Sequence, residues 1–363
     1  MKIGIIGAGQ LGRMLALAGY PIGQSFSFLD ASSEAPAASL GEMHVGKLDD
    51  ADKLSTLASE CDVVTFEFEN IPAPLLRQSM GDKPFHPPVE ALAQTQDRLV
   101  EKRLFGSLSI PTTRHEAVDS LEELRSAVDK LGLPAVLKTR RLGYDGRGQA
   151  VLREAGDVED AWETLGSVPL ILEEFIPFDT EASLVAVRST SGETAFYPMA
   201  ENEHRNGILH VSRAPYGSEE LQRQAEGYLT RLLDRLNYVG TMTVEFFVQD
   251  RNLIANEVAP RVHNSGHWTI EGADCSQFEN HVRAVAGLPL GSTRARGHSG
   301  MINLLGTMPD TRAVLATPGA HLHDYGKSPR PGRKLGHCTV VADTPEDRDA
   351  QVAHLLEIRD ATS

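Results

Sequence analysis

The chain has 363 residues, enough for two or three domains with separate cores, and a globular composition. Its 35 Lys and Arg are outnumbered by 50 Asp and Glu, and the net charge of -15 argues against nucleic acid as a partner. The three cysteines (Cys61, Cys275 and Cys338) are spaced too widely for a disulfide framework or a CxxC metal site, and no long apolar run occurs, so we expect a soluble, cytoplasmic protein with no membrane partner.

From Met1 to about Arg98 the chain alternates strand-like and helix-like segments. Strands are predicted at KIGIIG, SFSFLD and DVVTFEFE, with helices at Leu11–Ala18 and near Asp52–Ser59. This alternation predicts an α/β domain, a parallel sheet with helices on both faces.

The turn GAGQLG follows the first strand, and Asp30 ends the next strand 18 residues after Gly12. This spacing matches the dinucleotide-binding fingerprint, in which glycines let backbone amides approach a phosphate. The same turn also binds other phosphates or serves only strand-helix packing. A nicotinamide-dependent (NAD(P)) oxidoreductase is therefore one hypothesis, although it leaves the rest of the chain unexplained.

Beyond Pro87-Pro88 the pattern changes to an α+β region that is largely antiparallel. A helix is predicted over Ala91–Phe105, strands at PAVLKT, PLILEEFI and EASLVAVR, and an amphipathic helix over Ser218–Leu236. The strand that ends in Glu173-Glu174-Phe175-Ile176, with Glu181 beyond it, can bind an adenine amino group and a ribose hydroxyl. Solvated carboxylates at a strand end are the alternative.

A glycine-rich loop, Gly143–Gln149, follows the strand that contains Lys138. Its backbone N–H groups, with Arg140 and Arg141 nearby, can close over phosphates. The loop is not a Walker A motif. The alternative is an ordinary glycine-rich turn.

Residues 244–261 predict a β-hairpin that turns at about Arg251, with Glu245 and Glu257 equally far from the turn. Directly opposed residues of antiparallel strands share a face, with β-carbons about 5 Å apart. Two carboxylates at that distance suit Mg²⁺, with substrate phosphates as its other ligands. The alternative is a hairpin whose two Glu face solvent.

The segment that follows, Arg261 to His267, concentrates a cation, two imidazoles, an amide and a hydroxyl. A zinc site is an alternative, but a third His or Cys at suitable spacing is absent from the sequence around it.

After Leu288–Gly291 a tail is predicted with strands near Met301–Leu305 and Cys338–Ala342 and a last helix from about Glu346. Its basic loop KSPRPGRK is either a solvated surface or a site for a substrate phosphate.

The chain resembles the ATP-grasp superfamily in four motifs, which are, in chain order, Lys138, the Gly143–Gln149 loop, EEFI with Glu181, and Glu245 with Asn256-Glu257. GAGQLGRM, TFEFENI, GYDGRGQ, YPMAENEHRNGIL, NEVAPRVHNSGHWTIEGA and RPGRKLGH are similar to the N5-carboxyaminoimidazole ribonucleotide synthetases, and the resemblance spans nearly the whole chain. It implies a Rossmann-like pre-ATP-grasp domain over 1–98, an ATP-grasp domain of two lobes over 99–290 and a small β-rich domain over 291–363.

The implied reaction joins ATP, bicarbonate and 5-aminoimidazole ribonucleotide to give N5-carboxyaminoimidazole ribonucleotide, ADP and phosphate. Many ATP-grasp enzymes carry Asn at the position of Ala259, so the resemblance leaves Glu245 and Glu257 to hold Mg²⁺, with Mn²⁺ as a substitute. It also implies a homodimer. The runner-up within the superfamily is a formate-dependent glycinamide ribonucleotide transformylase.

Carried over by position, the resemblance implies three groups of site residues. The nucleotide site would comprise Arg98, Lys138, Gly143, Tyr144, Asp145, Gly146, Arg147, Gly148, Gln149, Glu173, Glu174, Phe175, Ile176, Glu181, His204, Asn256 and Glu257. The bicarbonate and ribonucleotide sites would comprise Gln10, Leu11, Glu67, Tyr144, Asp145, Arg147, Arg261, His263, Asn264, Ser265, Lys327 and Arg333. The residues expected to take part in catalysis are Asp145, Arg261, His263, Lys327 and Arg333.

Overall fold

The computed structural model describes residues 1–143 and 146–361. The N-terminal part is a parallel sheet, as predicted, with strand order β3-β2-β1-β4. Its strands are β1 (Lys2–Ile6), β2 (Ser25–Asp30), β3 (Glu42–Val45) and β4 (Val63–Phe66). Apolar side chains of the sheet pack on α1 (Gln10–Gly19) on one face and on α2 (Ala51–Glu60) and α3 (Ala73–Met80) on the other. The expected helices on both faces are confirmed.

The predicted helix over Ala91–Phe105 is wrong as a single element. The structure has α4 (Val89–Thr95) and α5 (Arg98–Ser107), separated at Gln96 and Asp97. The Asp97 carboxylate accepts the backbone N–H of Leu99 at 3.0 Å and so caps α5. The segment is rich in Gln, Arg, Glu and Lys on both sides of the break, which explains why its composition alone suggested one helix. The cap places Arg98 in the first turn of α5.

The next layer is an antiparallel sheet of strand order β5-β8-β6-β7. Its strands are β5 (His115–Val118), β6 (Ala135–Thr139), β7 (Gln149–Leu152) and β8 (Leu170–Glu174). The helices α6 (Leu121–Leu131) and α7 (Asp157–Leu165) pack on it through apolar side chains such as Leu124 and Ala161. The glycine-rich loop connects β6 to β7.

A large antiparallel sheet forms the centre of the molecule, in the order β14-β13-β9-β11-β12-β15-β17-β16, with β10 paired to β9. Its strands are β9 (Thr180–Arg188), β10 (Thr194–Phe196), β11 (Ala200–Arg205), β12 (Ile208–Ala214), β13 (Gly240–Gln249), β14 (Asn252–Ala259), β15 (His298–Leu305), β16 (Ala320–Asp324) and β17 (Lys334–Ala342). The helices of this part are α8 (Glu219–Arg235), α9 (Thr269–Gly272), α10 (Gln277–Val285), α11 (Thr311–Ala316) and α12 (Pro345–Asp360).

Two contacts join the C-terminal tail and the N-terminal domain to the central sheet. β15 pairs with β12, so the tail strands continue the central sheet. Phe278 and Val282 of α10 pack into the core cluster that contains α1, which fixes the N-terminal domain against the central sheet. Among the described helices, none is both long and apolar enough to cross a bilayer.

Candidate active site

Two adjoining cavities open beside the β13–β14 hairpin. The first is lined by residues of both antiparallel sheets, and the second by residues of the N-terminal domain and of β14 with the loop after it. The residues that line both cavities, here called the neck, are Arg98, Glu257, His263, Asn264 and Lys334. A group held in one cavity can therefore reach a group held in the other at the neck.

The hairpin brings the two predicted carboxylates together. Glu245 pairs directly with Glu257, and the turn lies at Asp250 and Arg251, whose φ angles are 49° and 62°. Such values are typical of a two-residue hairpin turn. The register shifts by one residue after Glu245, which leaves Asn256 as the extra residue of a β-bulge. The predicted hairpin and the facing of the carboxylates are confirmed.

The electrostatics of this pair suit a divalent cation. Burial and the nearby charge of Glu257 raise the pKa of Glu245 to about 7. Burial also raises the pKa of Glu257, but the Arg98 guanidinium at 2.7 Å outweighs it and holds the pKa of that carboxyl below its usual value. The Asn256 Oδ1 is buried and has no hydrogen-bond partner among the described residues. Carboxylate and amide oxygens are ligands that Mg²⁺ accepts, so the residues present fit this ion.

The first cavity collects most of the residues expected to bind nucleotide. These are Arg98, Lys138, Gly146, Arg147, Gln149, Glu173, Glu174, Phe175, Ile176, Glu181, His204, Asn256 and Glu257. His204 Nδ1 lies 2.7 Å from Glu181 Oε2; burial lowers the pKa of His204, but this contact and the nearby Glu245 raise it above its usual value. The Glu174 carboxylate accepts a hydrogen bond from Arg114 Nε at 2.6 Å.

Lys138 belongs to a buried ion cluster. Its Nζ lies 3.1 Å from Glu173, whose carboxylate also lies 3.3 Å from Lys102 and accepts the Thr113 hydroxyl at 2.9 Å. Burial lowers the pKa of Lys138. The sequence did not indicate a role for Lys102, because it is one charge among several on a predicted helix. In the structure it donates to the backbone oxygen of Asn256 at 2.9 Å and so supports the bulge.

The glycine-rich loop is shaped by positive φ angles at Gly146 (74°) and Gly148 (73°). A β-carbon on Gly146 would lie 2.7 Å from the backbone oxygen of Asn206, so the loop approaches the β11–β12 turn closely. Tyr144 and Asp145 lie outside the described residues, and Gly143 lines the second cavity.

Arg140 and Arg141, which the sequence placed near phosphate, bind Asp97 instead. Arg140 makes two hydrogen bonds to that carboxylate, at 2.9 and 2.8 Å, and Arg141 makes one at 3.3 Å. Because Asp97 caps α5, these contacts fix the helix end that carries Arg98.

The turn after β1 is occupied by Glu67. The carboxylate of Glu67 accepts the backbone N–H groups of Gly9 and, at 2.6 Å, of Gly12. A β-carbon on Gly7 would lie 2.4 Å from the Glu67 side chain, so the glycines are needed to admit this carboxylate. Amides that would bind a pyrophosphate are thus bonded to an acidic side chain, which argues against the nicotinamide hypothesis. Glu67, Gln10 and Leu11 all line the second cavity, as expected.

Arg261 lines the second cavity but is paired within the protein. Its guanidinium makes a bidentate contact with Glu69, through Nε to Oε2 and through Nη2 to Oε1 at 2.8 Å. Glu69, which the sequence did not single out, therefore orients Arg261.

Asn264 lies at the neck, and both polar atoms of its amide are buried without a partner among the described residues. Buried polar atoms in that state are typical of a ligand site.

His263 also lies at the neck, with Nε2 at 3.5 Å from Glu245 Oε1. Burial and the neighbouring Arg261 keep the pKa of His263 well below its usual range, so the imidazole is neutral. Ser265 was expected to contact substrate, but it does not line either cavity. It is fully buried behind His263, where its hydroxyl lies 2.9 Å from His263 Nδ1. The expectation of direct contact is therefore corrected to support of His263.

The basic tail loop is only partly directed at the site. Lys327 donates to the Gln10 side chain and lies over the Tyr325 ring, and burial lowers its pKa to about 8. Arg333 instead donates to the backbone oxygen and the hydroxyl of Ser328, both at 3.1 Å, within its own loop. The cation that reaches the neck from this segment is Lys334, which the sequence did not assign to the site.

Comparison with known proteins identifies the family. The model of the ribonucleotide synthetase pre-ATP-grasp domain matches residues 1–96, that of the ATP-grasp domain matches 103–278, and that of the phosphoribosylaminoimidazole carboxylase C-terminal domain matches 299–351. The N5-carboxyaminoimidazole ribonucleotide synthase of Pseudomonas aeruginosa is 54% identical over 98% of this chain and 100% of that protein. The chain belongs to the N5-carboxyaminoimidazole ribonucleotide synthase family. The synthase of Bacillus subtilis is 40% identical over 95% of this chain and 92% of its own length.

Solved structures of the family agree with the fold. The N5-carboxyaminoimidazole ribonucleotide synthetase of Thermus thermophilus has a TM-score of 0.94 and 52% identity, with 98% of each chain covered. The synthase of Aspergillus clavatus in complex with ADP and 5-aminoimidazole ribonucleotide has a TM-score of 0.93 and 30% identity, with 99% of this chain and 98% of that chain covered. The predicted ATP-grasp fold is confirmed, and neither the transformylase nor the oxidoreductase alternative is favoured.

Proposed function

We propose that this chain catalyses the ATP-dependent carboxylation of 5-aminoimidazole ribonucleotide by bicarbonate, which gives N5-carboxyaminoimidazole ribonucleotide, ADP and phosphate in purine biosynthesis. The observation that carries the proposal is the neck, which lies between a nucleotide-type cavity and a second cavity. It contains charged side chains and the buried Asn264 amide, which has no hydrogen-bond partner in the described part of the chain. A reaction that joins three small molecules needs such a junction, because each partner must meet the next in a fixed orientation.

ATP occupies the first cavity in this proposal. Lys138 contacts its phosphates, and the backbone of the glycine-rich loop covers them. The adenine lies near Phe175 and Ile176 at the end of β8. Glu181, which His204 orients at 2.7 Å, accepts from the ribose hydroxyls. This arrangement directs the terminal phosphate toward the neck.

Glu245, Glu257 and the Asn256 amide oxygen would hold Mg²⁺, with Mn²⁺ as a substitute. When bound, the cation neutralises charge on the phosphoryl oxygens and so favours transfer. Arg98 supports the same site because it binds Glu257 at 2.7 Å and limits the repulsion between the two carboxylates.

Bicarbonate is a poor electrophile and needs activation. One of its oxygens attacks the terminal phosphorus of ATP, the bond from that phosphorus to the bridging oxygen breaks, and ADP leaves, which forms carboxyphosphate. Arg261, His263 and Asn264 hold the carboxylate part at the neck through hydrogen bonds that planar oxyanions accept. Glu69 keeps the Arg261 fork oriented.

The ribonucleotide binds in the second cavity, where Gln10, Leu11 and Glu67 line the wall and Lys327 donates to the Gln10 side chain. Its amine attacks the carboxyl carbon, phosphate leaves, and the amine loses a proton. By resemblance, Tyr144, Asp145, Arg147 and Arg333 would enclose this substrate, and Asp145 would orient the attacking amine.

We also propose a homodimer, on the resemblance to the family, and a cytoplasmic location. All three cysteines are buried and unpaired, which suits a reducing compartment. Light scattering at micromolar concentration tests the dimer directly.

The function is tested by an assay with purified protein, Mg·ATP and radiolabelled bicarbonate, with and without 5-aminoimidazole ribonucleotide. We expect incorporation of label and phosphate release that depend on the ribonucleotide. Formate with glycinamide ribonucleotide serves as the matched control and should give no turnover. Phosphate release with formate but not with bicarbonate would instead support the transformylase.

A further inference from the structure

We propose that Ser265, Ser183, Asn202 and Ser212 form a buried hydrogen-bond relay that fixes His263 in the tautomer with its proton on Nε2. His263 then faces the neck as a neutral hydrogen-bond donor, and the four relay residues are positioning residues for it. The relay stands on the geometry alone. Its consequence for turnover rests on the proposed function.

The relay is continuous across three strands of the central sheet. The Ser212 hydroxyl donates to Asn202 Oδ1 at 2.7 Å, and Asn202 Nδ2 donates to the Ser183 hydroxyl at 2.9 Å. The Ser183 hydroxyl donates to Ser265 Oγ at 2.8 Å, and Ser265 Oγ lies 2.9 Å from His263 Nδ1. The relay side chains are at most 3% exposed. Polar groups in such a core are stabilising only when each is bonded, so their directions are strongly constrained.

Two groups determine the direction of the relay at its histidine end. The backbone N–H of Ser265 always carries a proton, and it points at His263 Nδ1 at 3.3 Å. This long contact favours a lone pair on Nδ1, and so the ring proton on Nε2, but the shorter hydroxyl contact at 2.9 Å supplies most of the preference. The Ser265 hydroxyl already accepts from Ser183, so its own proton is available to Nδ1. Both contacts favour the same tautomer.

The backbone of His263 is fixed as well, which leaves the ring little freedom. His263 N donates to Gln277 Oε1 at 3.0 Å, and Gln277 Nε2 donates to His263 O at 2.6 Å. The ring then directs Nε2 toward Glu245, 3.5 Å away at the neck. A donor in that place can bind an oxygen of bicarbonate or of carboxyphosphate. The same ring cannot act as a general base through Nδ1, because the relay occupies that atom.

The tautomer is measured directly in the ligand-free protein by ¹⁵N NMR of the histidine rings, since protonated and unprotonated ring nitrogens give distinct shifts and couplings. The His263→Asn variant assigns the signals. We expect the wild-type pattern to show the proton on Nε2. His281 is an internal reference, because its Nδ1 accepts Thr241 N at 3.1 Å and its Nε2 lies 2.9 Å from the Thr65 hydroxyl.

Ser265→Ala removes the hydroxyl that contacts Nδ1 and should raise the fraction of His263 with its proton on Nδ1. We expect kcat for ribonucleotide-dependent phosphate release to fall at least about tenfold, with KM for ATP within about twofold of wild type. Ser183→Ala should act in the same direction more weakly, because it leaves the Ser265 hydroxyl in place. Ser27→Ala is the matched control, since Ser27 is a fully buried serine in β2 of the N-terminal sheet and outside the relay, and it should change neither readout.

A wild-type ring with its proton on Nδ1 overturns the relay, and this measurement needs no variant to fold. An unchanged tautomer and unchanged kcat in a folded Ser265→Ala protein overturns it too. A shifted tautomer with unchanged kcat leaves the relay in place but contradicts the role given to His263 in the reaction, so the two failures are distinguishable.

Discussion

Glu245→Gln should stabilise the metal-free protein while it abolishes Mg²⁺-dependent turnover. Glu245 is 14% exposed, and burial together with Glu257 raises its pKa to about 7 from an ordinary value of 4.5. The folded pKa lies above the unfolded one, so ionisation of Glu245 destabilises the folded state. This destabilisation is absent below about pH 4, develops between the two pKa values, and is fully present above about pH 7.

The size of this destabilisation follows from the interval between the folded and unfolded pKa values of Glu245. Each pH unit between them corresponds to about 1.4 kcal/mol, so the wild-type carboxylate costs about 3 kcal/mol at pH 8 and less than about 1 kcal/mol at pH 5. Glutamine keeps the shape and carries no charge. Glu245→Gln should therefore gain about 3 kcal/mol in free energy of unfolding at pH 8, and most of this gain should vanish at pH 5.

The assay is urea unfolding followed by circular dichroism in the presence of EDTA, at both pH values. Glu220→Gln, an exposed charge deletion on α8, is the control and should change stability little at either pH. Equal stability of Glu245→Gln and wild type at pH 8, or the same gain at both pH values, would refute the buried carboxylate pair. Near-normal Mg²⁺-dependent turnover would refute its role in metal binding.

Three further predictions follow from single contacts. Gly146→Val should weaken ATP binding by at least about tenfold in calorimetry, because a β-carbon at Gly146 would lie 2.7 Å from a backbone oxygen and the φ of Gly146 is 74°. Gly156→Val is the control and should leave ATP binding unchanged, because a β-carbon at Gly156 would meet no atom of the described residues within 4 Å. Lys334→Ala should lower kcat/KM more than Arg333→Ala, since Lys334 lines the neck whereas Arg333 donates within its own loop; equal effects would contradict this placement. Lys102→Met should lower the free energy of unfolding by about 3 kcal/mol in urea because it breaks a buried ion pair, and a loss below about 1 kcal/mol would count against that pair.

The hairpin could be predicted from sequence because its turn is local, and a turn centred on Arg251 predicts that Glu245 and Glu257 face each other. The structure has this pair but reaches it differently: the two-residue turn pairs Gln249 with Asn252, and the bulge at Asn256 then brings Glu257 opposite Glu245. The bulge at Asn256 could not be predicted, because it depends on Lys102, which is 154 residues away and binds the Asn256 backbone oxygen.

Residues that orient the site were missed for the same reason. Glu69 binds Arg261 across 192 residues, and Ser183 reaches Ser265 across 82, distances over which composition and periodicity carry no information. Arg140 was assigned to phosphate on local charge alone, whereas the fold supplies Asp97 as its partner. Motif spacing predicts candidate ligand-binding side chains, but the side chains that orient them come from tertiary contacts.

Activation of bicarbonate by phosphate transfer at the neck is tested most directly with bicarbonate labelled with heavy oxygen. Phosphate released in the presence of Mg·ATP and 5-aminoimidazole ribonucleotide is analysed by mass spectrometry. If carboxyphosphate forms, each phosphate should carry one oxygen from bicarbonate, because the oxygen that attacked phosphorus leaves with it. Phosphate that carries no bicarbonate oxygen, while carboxylated product accumulates at the same rate, would contradict the account.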